Sequence, residues 1–267
     1  YWSYDECGHN DEARKEIKVL FDGQPPFDSP KPTRFLLQAL RIGTSPDSLI
    51  LDFFSGSATT AHAVMQLNAE DGGKRKYICV QLPEETPEGS EARKAGYETI
   101  CEIGKERIRR AGRKIKEESQ LTTQDLDTGF RVFRIDSGNY KNVTMQPNEY
   151  DQQMLDLFVD NIKADRTDLD LLFGAMLAWG VQLSLPMTTE EVDGCKIYAV
   201  DGNGLVACFA ENISENVVQA MAAKQPLRVL FRDSCFDEDK TKINIFERFK
   251  QQLDWDEKEA IQNIRVV

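Results

Sequence analysis

Apolar positions divide the first half of the chain into short, sharply bounded elements. Asp11 to Leu20 sets Ile17, Val19 and Leu20 at helical spacing, and the four prolines and one glycine of Asp22 to Pro32 then force a shaped, extended loop. From Thr33 the residues Phe35, Leu36, Leu37, Ala39 and Leu40 predict a helix, stopped by Gly43 and the turn Thr44 to Asp47. Ser48 to Phe54 is apolar except for Asp52, the pattern of a parallel strand buried on both faces. The small-residue loop Ser55-Gly56-Ser57-Ala58, a helix over Thr59 to Leu67 ended by Asp71-Gly72-Gly73, and a second apolar run, Tyr77 to Leu82, complete one strand-loop-helix-strand unit of a doubly wound sheet. Beyond Pro83 to Ser90, the residues from Tyr97 to Ile115 keep the spacing of a long amphipathic helix.

Gln120 to Thr128 is polar, and the domain boundary is expected there, with residues 1–125 in one domain and 126–267 in another. The second domain opens with an expected strand, Gly129 to Ile135. It continues with helices around Tyr150 to Lys163 and Leu169 to Trp179, strands at Lys196 to Val200 and Leu205 to Phe209, and a helix near Ser214 to Lys224. A strand Leu227 to Phe231, a helix Ile243 to Leu253 and a strand Ile264 to Val267 close it. Trp179 and Trp255 are its expected core anchors. The fold class expected is α/β in both parts.

Composition narrows the function. The 267 residues are 40% hydrophobic and 29% charged, as in an ordinary globular protein, which excludes collagen, coiled coil and disorder. No apolar run is long enough to span a membrane and the first residues lack a secretory pattern. The net charge of −12 argues against a free-standing nucleic-acid binder, so any DNA contact must be local or supplied elsewhere. Six cysteines without a CxxC pair, four of them among apolar residues, favour a reduced, cytoplasmic setting. Position one is Tyr1 rather than Met, which points to a segment of something longer.

The chemistry lies in the turn Asp52 to Thr60. A glycine turn between strand and helix lets backbone approach a ligand, and unpaired amides at the helix start attract an anionic group. The turn is neither the GxGxxG of NAD enzymes nor a lysine-bearing phosphate loop, which disfavours NAD and ATP. Pro30-Lys31-Pro32-Thr33, an apolar helix and then LILDFFSGSATTAHAV resemble the S-adenosylmethionine-binding part of the β-class amino-methylating DNA methyltransferases. There a Lys-Pro motif precedes an Asp-Pro-Phe-x-Gly-Ser-Gly-Thr-Thr motif. KYICVQLPEE and YETICEIGKERIRRAGRKI carry the resemblance specifically to the modification (Mod) subunits of type III restriction-modification systems. It is strong from Ile17 to Ile115 and looser beyond, where GFRVFRIDSGNYKNV and LRVLFRDSCFDEDKTKIN resemble the C-terminal region of that family.

The resemblance implies a partial Rossmann-like methyltransferase sheet followed by a smaller mixed α/β domain, and S-adenosylmethionine as cofactor. It matches Phe54, Ser55, Gly56, Ser57 and Thr59 to the loop around the methionine end, with Asp52 toward its ammonium group. Phe27, Pro30, Lys31 and Pro32 match the segment that closes from the other side. The family's ribose-binding acid is replaced by Gln81, which gives up a charge-assisted bond, and Glu84 could substitute. Ala58 stands where the family has glycine, harmless only at negative φ.

Amino methylation also needs Asp, Asn or Ser before Pro-Pro and an aromatic, to hold the exocyclic amine and stack on the flipped base. Gln24-Pro25-Pro26-Phe27 has the wrong first residue and the wrong place in the order, and reads as part of the cofactor lid. The expectation is a fragment of a DNA adenine-N6 methyltransferase that lacks its catalytic motif and target-recognition domain and is inactive alone. Cytosine-N4 methylation stays open. So does an assembly module, with a homodimer or a restriction (Res) subunit as partner.

Three further features have bland readings. Arg93 to Lys116 holds nine basic residues against three Glu; it reads as a solvated helix face, with a DNA-backbone face as the sharper alternative. Cys7-Gly8-His9 lacks a second pair for a metal, and Asp233, Asp237, Glu238 and Asp239 read as a solvated acidic turn rather than a Mg²⁺ centre.

Overall fold

The computed structural model describes residues 2–118, 123, 125–141, 161–236 and 239–267. They form two compact units, Tyr1–Phe130 and Arg131–Val267, both mixed α/β.

In the first unit, α1 (Tyr4–Cys7) and α2 (Asn10–Leu20) lead to the proline-rich loop, and α3 (Thr33–Gly43) starts directly after Pro32. Proline fixes φ near the helical value, here −64°, but offers no side-chain cap to the first amides of α3. Strand β1 (Leu49–Asp52) pairs in parallel with β2 (Lys76–Cys79), in register from Leu49 opposite Lys76 to Asp52 opposite Cys79. The connection is α4 (Thr59–Asp71). From Thr59 to Met65 every residue of α4 is buried, so it lacks a polar face and acts as the central helix. Ala61 and Met65 pack with Ile103, Ile108 and Ala111, while Ala63, Val64 and Leu67 pack with Leu37 and Leu40. The partners come from α6 (Ile100–Glu118), which follows the short α5 (Glu91–Lys94), and from α3.

The sheet departs from the double burial expected of Ser48 to Phe54. Ile50, Asp52, Tyr77 and Cys79 are half-buried, whereas Leu51 is 59% and Ile78 47% exposed. With a period of two, side chains alternate between faces, and among the described residues helices cover only one of them.

The second unit carries a five-stranded sheet of order β3-β4-β5-β6-β7. It comprises β3 (Met187–Val192), β4 (Cys195–Val200), β5 (Leu205–Cys208), β6 (Val229–Phe231) and β7 (Ile264–Val266). β3, β4 and β5 run antiparallel, and β5, β6 and β7 parallel. Two clusters flank it. Val217, Val218 and Met221 of α8 (Glu215–Ala223) and Phe249 of α9 (Asp239–Leu253) pack with Ile197, Val206 and Phe231. Leu172 and Met176 of α7 (Asp168–Ala178) pack with Tyr198, Leu205 and Leu230. The short α10 (Glu257–Asn263) precedes β7. Trp179 and Trp255 pack at the margins of the two clusters, and the Arg265 guanidinium lies 4.5 Å from the Trp179 ring centre.

Three expectations change here. Gly129 to Ile135 has no regular structure and joins no sheet among the described residues; Arg131 donates to Leu183 O and Leu185 O, at 2.6 Å for the latter. The helix expected over Tyr150 to Lys163 falls mostly on residues 142–160, outside the described residues. Ile162 forms an isolated bridge with Tyr140 instead of a helical turn. Strand β3 carries no apolar signal in the sequence, because Thr189, Glu190 and Glu191 are polar; it is an edge strand whose residues are largely exposed. Its turn, Asp193-Gly194 with φ of 50° and 78°, is the Asp-Gly pair that a two-residue hairpin requires. Among the described residues no helix is long and apolar enough to cross a membrane.

Phe231 is fully buried and its ring lies 5.4 Å from Phe236 and 5.8 Å from Phe249. Phe231→Ala is expected to cost about 3–5 kcal/mol in urea denaturation, whereas Ile243→Ala on the exposed side of α9 should cost under about 1 kcal/mol.

Candidate functional site

β1 becomes α4 through six residues, Phe53 to Ala58. The parallel ladder runs past the end of β2, with Val80 N–H donating to Asp52 O at 2.7 Å and Ser55 N–H to Val80 O at 3.1 Å. The chain then reverses through Gly56 at φ 50° and Ala58 at φ 60°. Gly56 meets the cost-free case for a left-handed residue; Ala58 does not. Alanine at position 58 is therefore a strained substitute for glycine, since its φ is positive and its methyl group is buried.

Asp52 closes the turn from the strand side. Its carboxylate accepts from Phe54 N–H at 3.2 Å and from Thr60 Oγ1 at 2.5 Å, so it reaches from the strand end to the second residue of α4. Ala58 offers no side-chain cap, and the start of α4 keeps the partial positive charge of a helix N-terminus. Phe54 is 78% exposed and lies against Phe53. Leu36 and Leu40 of α3 with Ile50, Asp52, Phe54 and Thr60 line a cleft of about 360 Å³, within the usual range for small-molecule sites.

The structure joins several of the residues expected to act together. The Phe27 ring lies 3.5 Å from the point where a Gly56 Cβ would be, which brings the Lys-Pro segment onto the loop. Gln81 Oε1 accepts from Gly56 N–H at 2.7 Å, so this side chain braces the loop. Pro30 and Pro32 are buried. Ser57 and Thr59 turn their hydroxyls inward, where both accept from Arg107 Nη1, at 3.0 and 2.7 Å. Ser55 is tied through its backbone. Lys31 and Glu84 are exposed, and neither makes a side-chain hydrogen bond or ion pair with another expected site residue.

Gln24 is exposed, Pro26 is buried and the tetrapeptide has no regular structure. His9 caps α2, its Nδ1 accepting from Glu12 N–H at 3.3 Å. Asp233 pairs with Lys242 at 2.6 Å, while Asp237 and Glu238 lie outside the described residues. On α6 the basic run is laced by Glu106, which lies 2.8 Å from Arg110 and 3.5 Å from Arg109.

Two residues that line this turn from behind escaped the sequence reading. Gly104 of α6 packs on the loop, its ideal Cβ falling 3.4 Å from Gly56 O. Arg107, one turn on, is completely buried. The available signal was a glycine inside a long amphipathic pattern, followed three residues later by a cation on the apolar face. His62 is buried on the same side. Burial, and secondarily the Arg107 guanidinium, lower its pKa to about 3, although Glu16 Oε1 lies 3.4 Å from its Nδ1.

Residues 1–111 match the family described as DNA methylase. The Mod subunit of the type III restriction-modification enzyme StyLTI of Salmonella typhimurium is 46% identical over 134 residues, half of this chain and 20% of that protein. The chain resembles the type III Mod subunits. The EcoPI Mod subunit of Escherichia phage P1 is 33% identical over 220 residues, 79% of this chain and 31% of that relative. The type II methyltransferase M.KpnI of Klebsiella pneumoniae is 38% identical over 99 residues, 37% of the chain and 24% of that protein. The chain thus spans less than a third of the length of these relatives.

Two outcomes follow. Ala58→Val, a branched side chain at positive φ in a packed site, should cost about 2 kcal/mol or more in urea denaturation, while Ala58→Gly should be neutral or stabilising by up to about 1 kcal/mol. His62 is neutral in the fold and takes a proton near its ordinary value of 6.5 when unfolded. Its depressed folded value makes stability fall as pH drops from about 6.5 toward 3, by about 2 kcal/mol between pH 7 and 5. His62→Gln should flatten that part of the profile measured by denaturation.

Proposed function

We propose that this chain is the cofactor-binding and C-terminal portion of an S-adenosylmethionine-dependent DNA methyltransferase of the type III Mod kind, acting on the exocyclic N6 of adenine. Residues 1–125 form part of a Rossmann-like methyltransferase domain and 126–267 the C-terminal domain of the Mod type. The observation that carries the reading is Phe27, from the segment before the Lys-Pro motif, resting on Gly56 of the strand-to-helix loop. Two segments 29 positions apart thereby meet at one loop, in the order that the resemblance to the family implies.

The donor set fits the cofactor's methionine end better than its ribose. The uncapped start of α4 suits a carboxylate, Asp52 suits an ammonium group, and Leu36, Leu40 and Phe54 offer apolar wall. S-adenosylmethionine, when bound, supplies the methyl group. Phe27, Pro30, Lys31 and Pro32 would close over it, with Ser55, Gly56, Ser57 and Thr59 as the loop beneath. Gln81 is engaged with Gly56 N–H and Glu84 is exposed, so a charge-assisted contact to the ribose is the missing contribution. That predicts weak binding. Holding the target amine would fall to Asp, Asn or Ser before Pro-Pro and an aromatic, and in residues 1–267 the one Pro-Pro pair follows Gln24 instead, so the chain alone should methylate nothing. DNA contact, a second Mod copy and a restriction subunit are the partners this reading implies, in the cytoplasm.

Calorimetric titration with S-adenosylmethionine and its demethylated product, with NAD as control, tests the proposal. Binding of the first two in the range of about 10–1,000 μM, lost in Gly56→Trp and absent for NAD, is the expected result. Equal affinity for NAD, or binding unchanged in Gly56→Trp, would overturn it.

A further inference from the structure

The loop and the segment before α3 are also joined by buried charge. Arg107 Nη1 donates to Ser57 Oγ and Thr59 Oγ1, at 3.0 and 2.7 Å, on the loop side. Its Nη2 donates to Glu16 Oε1 at 3.2 Å and to Thr33 Oγ1 at 3.3 Å, on the side of the Lys-Pro segment. Glu16 in turn accepts from Thr33 N–H at 3.2 Å and from Thr33 Oγ1. Thr33 opens α3 immediately after Pro32, which supplies no cap, so the Glu16 carboxylate takes the place of one.

A cation behind the positive end of a helix is unfavourable by itself, and Arg107 sits behind the start of α4. Glu16 offsets that charge, and its side chain keeps 24% exposure while the arginine side chain has none. A planar guanidinium with two forks is the side chain that can address both segments at once; an ammonium is a single point.

We propose that Arg107 and Glu16 are positioning residues that lock the loop 55–59 and the Lys-Pro segment into one relative placement before ligand arrives, which rests on the reading of this cleft as the cofactor site. The pair touches no ligand in this scheme. It sets the distance between the two surfaces that do.

The test uses the whole 267-residue chain, with amide hydrogen exchange by mass spectrometry and S-adenosylmethionine calorimetry on the same samples. Arg107→Met should raise exchange about tenfold or more in peptides covering both 27–33 and 55–60, with peptides of β4 to β6 unchanged, and weaken S-adenosylmethionine at least tenfold. Glu16→Gln should loosen the same two peptides to a lesser degree. Arg107→Lys should restore one side but not both. Exchange that rises only at 55–60, or throughout the first unit alike, would overturn the proposal. If Arg107→Met does not fold, Glu16→Gln decides by the same criterion, its carboxylate being partly exposed. A parent chain that takes no S-adenosylmethionine defeats the cofactor reading, and the two-peptide exchange pattern then still decides whether the brace exists.

Discussion

Turning a strand into a helix within six residues forces left-handed backbone twice, at Gly56 and Ala58, and the rest of the first unit is arranged to hold that turn. Asp52 binds it to the strand end, Gln81 to the neighbouring strand, Phe27 covers it, and Gly104 and Arg107 support it from beneath. A backbone of this shape cannot be stable in isolation, because left-handed residues and unsatisfied helix amides each cost free energy that only surrounding contacts offset.

The supports differ in kind. Apolar packing around α4 is non-directional and fixes where the helix lies, with Ala61 and Met65 on one side and Val64 and Leu67 on the other. The polar contacts fix how the loop is oriented. A buried guanidinium costs desolvation, and substituting apolar residues for such pairs is often neutral for stability. Its worth at position 107 lies in geometry, since dispersion between methyl groups would let the loop slide where forked hydrogen bonds do not.

Elements with a strong period were legible in the sequence. Strand β1, α4, α6, β5 and β6 come from apolar runs or spacings that tertiary context reinforces, and the Gly56 loop is visible in its small residues. Strand β3 was not legible because an edge strand needs no apolar face, only a neighbour and a turn; the Asp193-Gly194 pair was the signal to weigh. GFRVFRI has the aromatic and β-branched residues of a strand, yet such composition creates the possibility of pairing and does not supply the partner. The one-sided exposure of β1 was hidden for a related reason: a continuous apolar run reports what a strand could bury, whereas the pleat and the coverage available decide what it does bury. At the site, the loop and the Lys-Pro segment were readable as motifs. Arg107 was not, because a cation within a basic helix looks like solvated charge until its neighbours are placed.

Positions 58 and 104 have a consequence for how such sequences diverge. An ideal Cβ on Gly104 would lie 3.5 Å from the Ala58 methyl, so the space between α6 and the loop admits two methyl groups and nothing larger. A methyl on each side meets the other at ordinary van der Waals contact, so the limit is reached only when one side exceeds alanine. Enlargement on one side must be matched by a minimal residue on the other. A side chain larger than alanine at position 58 is therefore tied to glycine at position 104, so the size of a loop residue is limited from a helix 46 residues downstream.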